Sequence, residues 1–102
     1  MKTLFSKVKY DELELRNYPV KDIEVEYYKL LKESENIYGI EISKSENSKG
    51  KVNKEYMTIE NITRNECVLN RILETFTEGK VTPVIAQDVI EDILYEEKAR
   101  KI

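Results

Sequence analysis

The first half of the chain alternates apolar and polar side chains with a period of two, which is typical of β-strands. In residues 22–31 the side chains of Ile23, Val25 and Tyr27 fall on one side of an extended chain, and mostly acidic side chains fall on the other. Residues 37–43 repeat this alternation after a short polar segment. We therefore predict that the two runs form an antiparallel hairpin.

The strands on either side of this hairpin are less clear. Residues 43–51 contain no apolar side chain and are rich in Ser, Asn and Lys, which predicts a mobile hairpin loop. A third main strand is predicted at residues 52–62, where an irregular end indicates a bulge or the end of the strand. Residues 1–21 alternate weakly and close at Tyr18-Pro19. They are interpreted as an N-terminal arm or as one more strand at the edge of the sheet.

The last third of the chain has helical periodicity. Thr63 and Glu66 fit a capping box that would begin a first helix over residues 64–78, and Gly79 fits a left-handed residue at its end. Thr82-Pro83 would begin the second helix. The apolar stripe of the first helix contains Val68, Leu69, Ile72, Leu73 and Phe76. The apolar stripe of the second contains Ile85, Ala86, Val89, Ile90, Ile93 and Leu94.

These elements predict one α+β domain over residues 1–102. Its parts are the arm (1–21), a small antiparallel β-meander of three to four strands (22–62) and a helical pair (63–102). Because each predicted helix has one apolar stripe, we expect both helices to pack on one face of the sheet.

Composition restricts the chemistry available to this domain. The 17 basic and 20 acidic residues are interspersed, which disfavours non-specific binding to a phosphate backbone. The chain has one cysteine and no histidine, so an internal disulfide and histidine-based catalysis are excluded. No apolar run approaches the length of a membrane span, and no apolar signal core follows Met1, so we expect a cytoplasmic protein without membrane contact.

Other candidate sites are weak. The single thiol, Cys67, is interpreted as a buried structural residue; the alternative is a thiol activated at a helix N-terminus. Asp88, Glu91 and Asp92 are interpreted as a solvated helix face, the alternative being a cation site or an acid–base pair. The three glycines form no phosphate-binding motif. We therefore predict no catalytic residue, no metal site and no cofactor.

One candidate contact patch remains. Tyr28 and Tyr56 are predicted on the sheet face opposite Tyr27, beside Glu24 and Glu26. Aromatic rings surrounded by charge are common in protein interfaces. The alternatives are that the N-terminal arm covers the two tyrosines, or that they are ordinary strand residues without a partner.

Five sequence segments carry a family resemblance. They are Tyr27-Tyr28-Lys29-Leu30-Leu31, Tyr38-Gly39-Ile40-Glu41-Ile42, Ile59-Glu60-Asn61-Ile62-Thr63, and Lys80-Val81-Thr82-Pro83 followed by Asp88-Val89-Ile90-Glu91-Asp92. Together they resemble a family of short bacterial proteins described as a domain of unknown function. The resemblance covers residues 26–94, without the arm. It implies a bacterial, intracellular setting and the order strand, hairpin, helix, and it adds no activity.

The first hypothesis for function is a non-catalytic protein-interaction or regulatory module that binds a protein partner or a second copy of itself. The second is a small nucleic-acid-associated regulator. In a helix-turn-helix interpretation the second predicted helix would be the recognition helix. It would present Gln87, Asp88, Glu91 and Asp92 to the DNA, and these acidic side chains count against this hypothesis. A carboxylate-dependent enzyme is the third.

Overall fold

The computed structural model describes residues 1–13, 20–48 and 50–100, which form a four-stranded antiparallel sheet followed by two helices. The elements are β1 (Lys2–Leu13), β2 (Val20–Lys32), β3 (Ile37–Ser48), β4 (Lys51–Thr63), α1 (Glu66–Gly79) and α2 (Pro83–Arg100). The strands lie in the order β1-β2-β3-β4, each paired with the next along the chain. The predicted α+β meander with two C-terminal helices is therefore confirmed, with four strands among the described residues.

The N-terminal segment forms the edge strand β1. It pairs antiparallel with β2 from Lys2 opposite Leu30 to Leu13 opposite Val20, and its register shifts between Leu4 and Ser6. Such a shift is the mark of a β-bulge. The segment is therefore a strand of the sheet and does not fold over either of its faces. The predicted break at Tyr18-Pro19 lies outside the described residues.

The predicted loop over residues 43–51 is wrong, because β3 continues to Ser48 and β4 begins at Lys51. Lys44 pairs with Glu55 along this extension, and Gly50 has a positive φ of 78° in the tight turn. Burial in β3 ends at Ile42. The extension therefore needs no apolar face, and hydrophobic alternation could not reveal it.

One face of the sheet forms the core with both helices. The strand side chains in this core are Ile23, Val25, Tyr27, Ile40 and Ile42, all at most 2% exposed. The helices contribute Leu69, Ile72, Leu73, Phe76, Ala86, Ile90 and Ile93. Burying each large apolar side chain contributes about 1.5–3 kcal/mol to folding, so this face holds the helices in place. The predicted stripe of α1 is confirmed. That of α2 is wrong at Ile85, which is 47% exposed.

Two predicted helix ends are shifted. Asn65, not Thr63, caps α1, because its side chain accepts hydrogen bonds from the amides of Cys67 (2.9 Å) and Val68 (3.3 Å). Thr63 is paired with Tyr38 as the last residue of β4 and so cannot be the N-cap residue. At the other end the left-handed residue is Lys80 (φ 51°), one position after Gly79.

The turn between the helices is fastened to the sheet. The Val81 amide donates to the Phe76 carbonyl at 3.0 Å, which closes the end of α1. The Tyr27 hydroxyl donates to the Val81 carbonyl at 2.7 Å in the core. α2 then begins at Pro83, as predicted.

Candidate functional site

The four predicted contact residues share the sheet face opposite the helices, which we call the open face. Glu24, Glu26 and Tyr28 alternate along β2 with the buried Ile23, Val25 and Tyr27. Ser43 of β3 pairs with Glu26 of β2 on one side and with Tyr56 of β4 on the other. Glu26 and Tyr56 therefore belong to one row across the strands. Two strand spacings separate them, which is about 10 Å. Tyr28 is half-buried and Tyr56 is 64% exposed, so neither tyrosine is buried beneath β1.

Glu24 is held by lysines of the edge strand. Its carboxylate lies 3.0 Å from the Lys7 ammonium and 3.7 Å from that of Lys9. The hydrogen bond from Lys7 lowers the pKa of Glu24, and the same bond raises the pKa of Lys7. Glu24 is therefore ionised and already paired before any partner binds.

Tyr28 is similarly fixed in position. Its hydroxyl donates to the Glu26 carboxylate at 2.8 Å, and this bond is the main reason that its pKa is raised. The Lys2 ammonium lies 4.3 Å from the centre of its ring, a cation–π distance, and forms an ion pair with Glu41. The ring is thus a pre-positioned platform whose orientation does not have to be selected on binding.

Tyr56 differs from Tyr28. It lies on the edge strand β4, and within the described part of the chain its hydroxyl has no hydrogen-bond partner. Two other exposed apolar side chains stand on the same face, Leu4 on β1 (49%) and Val52 on β4 (56%). The open face therefore carries unpaired apolar and aromatic groups around a centre of paired charges.

Two grooves lie at opposite ends of the open face. One, of about 300 Å³, adjoins the β2–β3 turn, and its lining includes Lys2, Leu30, Lys32, Ile37, Gly39 and Glu60. A Cβ atom at Gly39 would lie 2.6 Å from the Ile59 carbonyl oxygen, so glycine lets β4 approach β3 closely there. The other groove, of about 410 Å³, is more polar and contains Lys9, Asp22, Glu24, Ser45, Asn47 and Val52.

Sequence reasoning missed the lysines of β1 and both grooves. Lys7 and Lys9 are two residues apart, the spacing that places side chains on one face of a strand, and this signal could have joined them to Glu24. The grooves have no comparable signal. The groove beside the β2–β3 turn includes Asn61, which has a positive φ of 55° where the register of β4 shifts after Ile59.

The remaining candidates do not assemble into a site. Cys67 is exposed, so its interpretation as a buried residue is wrong: it lies in the first turn of α1, off the stripe that packs on the sheet. Asp88, Glu91 and Asp92 are exposed on α2. Among the side chains that the structure describes, no three acidic or cysteine groups meet as potential metal ligands. Neither of the two described helices is long and apolar enough to cross a lipid bilayer.

The fold and the open face define a class of small α+β proteins in which two helices cover one side of a four-stranded meander. Residues 3–96 match a family described as "Family of unknown function (DUF6514)", and the chain belongs to this family. The match includes β1, so the resemblance extends beyond the residues 26–94 that its motifs indicated. Comparisons with curated proteins and with solved structures gave no match.

Proposed function

We propose that this protein is a non-catalytic interaction or regulatory module that binds a protein partner through the open face. The observation that carries the proposal is the exposure of Tyr56, Leu4 and Val52 on a sheet face that no described helix covers. Exposed apolar and aromatic groups with a polar surround are characteristic of protein-contact surfaces. We place this function in the bacterial cytoplasm, supported by the family resemblance and by the absence of a cysteine pair.

The charges of the open face favour a protein partner over a nucleic acid. Lys2, Lys7 and Lys9 form a basic column on β1, and this column favours a nucleic-acid-associated regulator. Each of them is paired with a glutamate, either Glu24 or Glu41. A phosphate backbone would have to compete with these carboxylates and would meet negative charge beside every lysine. A protein surface with charges of both signs can instead match the paired pattern.

An enzyme using carboxylates has less support. A general acid needs a carboxyl group whose pKa is raised by burial or by a neighbouring negative charge. On the open face, the pKa of Glu24 is lowered, because Lys7 stabilises its ionised form. This favours a charge that orients a partner over one that transfers a proton.

The proposal can be tested by affinity capture from the native host. The bait would be the wild-type protein, a Tyr28→Ser/Tyr56→Ser variant and a Tyr95→Ser control. Tyr95 is also exposed (76%) but lies on α2, on the far side of the molecule from the open face. We expect a specific partner that binds the wild type and the control and is lost with the double variant.

Folding of the three baits is compared by circular dichroism, because the substituted tyrosines lie outside the core. A partner retained by the double variant, or lost equally with Tyr95→Ser, would contradict the proposed surface. A partner released by nuclease treatment would support the nucleic-acid alternative instead.

A further inference from the structure

The outer edge of β4 has free backbone groups, and this follows from the hydrogen bonds at the opposite side of the sheet. Met1 and Leu31 exchange both of their backbone hydrogen bonds, at 2.9 and 2.8 Å. In an antiparallel ladder, such hydrogen-bonded pairs alternate with pairs whose backbone groups point away. The backbone N–H and C=O groups of the odd-numbered residues of β2 therefore point toward β1. Those of the even-numbered residues point toward β3.

The register carries this alternation across the sheet. Tyr28 pairs with Glu41, so the odd residues of β3 bond to β2 and the even residues to β4. Ile42 in turn pairs with Met57, so the odd residues of β4 bond to β3. The even residues of β4 consequently present their N–H and C=O groups outward. In the regular part of the strand these are Val52, Lys54, Tyr56 and Thr58.

The two edges of the sheet differ in how well they are protected. β1 has a register shift between Leu4 and Ser6, and such a shift hinders pairing with another strand. β4 pairs with β3 without a shift from Lys51 to Ile59. Its regular, solvent-exposed edge is therefore the better template for an added strand.

The charges of β4 and the length of its regular segment select a register for pairing with a second copy of the chain. A second β4 related by a two-fold axis would add antiparallel, and equivalent faces would then be continuous. A register centred on Lys54 or on Glu55 sets like charges opposite each other. A register centred on Tyr56 sets Lys54 opposite Thr58 and Glu55 opposite Met57, without like charges. Among the registers that avoid like charges, it pairs the longest part of the regular segment, residues 53–59.

We propose that the occupant of this edge is a second copy of the chain, joined through β4 in the register centred on Tyr56. About six backbone hydrogen bonds would connect the strands, and the two four-stranded sheets would become one. The open faces of both copies lie on the same side, with the two Tyr56 side chains adjacent at the axis. This pairing deepens the proposed function, since it doubles the contact surface, although its geometry does not depend on a further partner.

A charge test at Thr58 separates association from folding. In the proposed register a charge at this position faces Lys54 of the partner twice, while within one chain it lies beside Glu41. Thr58→Glu should therefore tighten the dimer although it sets two acidic residues side by side in each monomer. Thr58→Lys should weaken the dimer although the new lysine, beside Glu41, stabilises the fold of each chain. Sedimentation equilibrium should show dissociation constants that differ by roughly tenfold between the two variants.

A cross-linking test fixes the register. With Cys67→Ser as background, Tyr56→Cys places two thiols in one hydrogen-bonded pair at the axis. Cα atoms in such a pair are about 5.5 Å apart, within reach of a disulfide. Val52→Cys in the same background places its thiols four residues from the axis on each strand, too far apart to join. Oxidation should therefore join the two chains of the Tyr56→Cys variant by a disulfide and leave the Val52→Cys variant without a covalent cross-link.

Several outcomes would overturn the inference. They are a wild-type protein that stays monomeric at roughly millimolar concentration, Thr58 variants that shift the dissociation constant in the same direction, and equal cross-linking of the two cysteine variants. Tyr28→Ser tests the proposed function without altering the β4 edge, because Tyr28 lies on β2. A partner captured by a monomeric protein overturns the dimer alone. A dimer that captures no partner overturns the proposed function alone.

Discussion

Replacing Tyr27 by Phe removes one hydroxyl group from the centre of the core and leaves the Val81 carbonyl without its partner. Tyr27 is fully buried, Val81 is 5% exposed, and the hydrogen bond between them is 2.7 Å long. A buried polar group that loses its partner costs about 1–3 kcal/mol. In a domain of this size, such a loss lowers Tm by roughly 5–15 °C.

Tyr28→Phe is the matched control. It removes the same atom from the neighbouring residue, whose hydroxyl bonds to Glu26 on the half-exposed open face. Solvent can replace this bond, so we expect a loss below about 0.5 kcal/mol. The ring contact between Tyr27 and Phe76, at 5.9 Å, is kept in both variants. The difference between them therefore reports the buried hydrogen bond.

Urea unfolding followed by circular dichroism measures both variants at equal m-values. Hydrogen exchange provides a local check, because the Val81 amide closes the end of α1 and should lose protection in Tyr27→Phe. Equal losses in the two variants, or a larger loss in Tyr28→Phe, would refute the assignment of these tyrosines to opposite faces. It would also refute the fastening of the helix turn to the sheet.

Further predictions can be checked by the same urea unfolding assay. Burial raises the pKa of Tyr27 above its ordinary value of 10.0, so the protonated hydroxyl stabilises the fold fully below pH 10 and loses this effect as the pH rises above it. The difference in unfolding free energy between wild type and Tyr27→Phe should therefore narrow above pH 10, and a difference that widens would contradict this. Gly39→Ala should cost about 1–3 kcal/mol or more, because its Cβ would meet the β4 backbone at 2.6 Å; an unchanged stability would refute that close approach. Lys80→Gly should stabilise by up to about 1 kcal/mol, and Gly79→Ala should not destabilise, since the left-handed residue is Lys80; the opposite signs would return that role to Gly79. Asn65→Ala should cost about 1 kcal/mol, and no loss would contradict its capping role.

The sequence predicted those strands and helices that have one buried face and one solvent-exposed face. Alternation in β2 follows directly from a sheet whose helices cover only the Tyr27 side, and this put Tyr28 on the open face. The stripe of α1 follows from the same core. Where neither side of a strand is buried, as in β3 beyond Ile42, alternation has no physical cause and the prediction of a loop was wrong.

The helix ends needed tertiary information. Thr63 and Asn65 are both good caps by sequence, and pairing of β4 with β3 decided between them by holding Thr63 in the strand. At the other end, Val81 has to be buried and to receive the Tyr27 hydroxyl, which places the left-handed turn at Lys80. Local propensity favours glycine there. The core contact on the following residue prevailed over that preference.

If a protein partner binds the open face, as proposed above, the charge pairs of this face determine which contacts would add to its affinity. Glu24 and Lys7 already satisfy each other, so a partner that separates them would have to compensate both groups. Tyr56 is different, because its ring is exposed and covering it removes apolar surface from water without breaking a bond. Affinity should therefore come mainly from the Tyr56 edge of the face. The paired charges beside Tyr28 would select among partners by excluding those with unmatched charge.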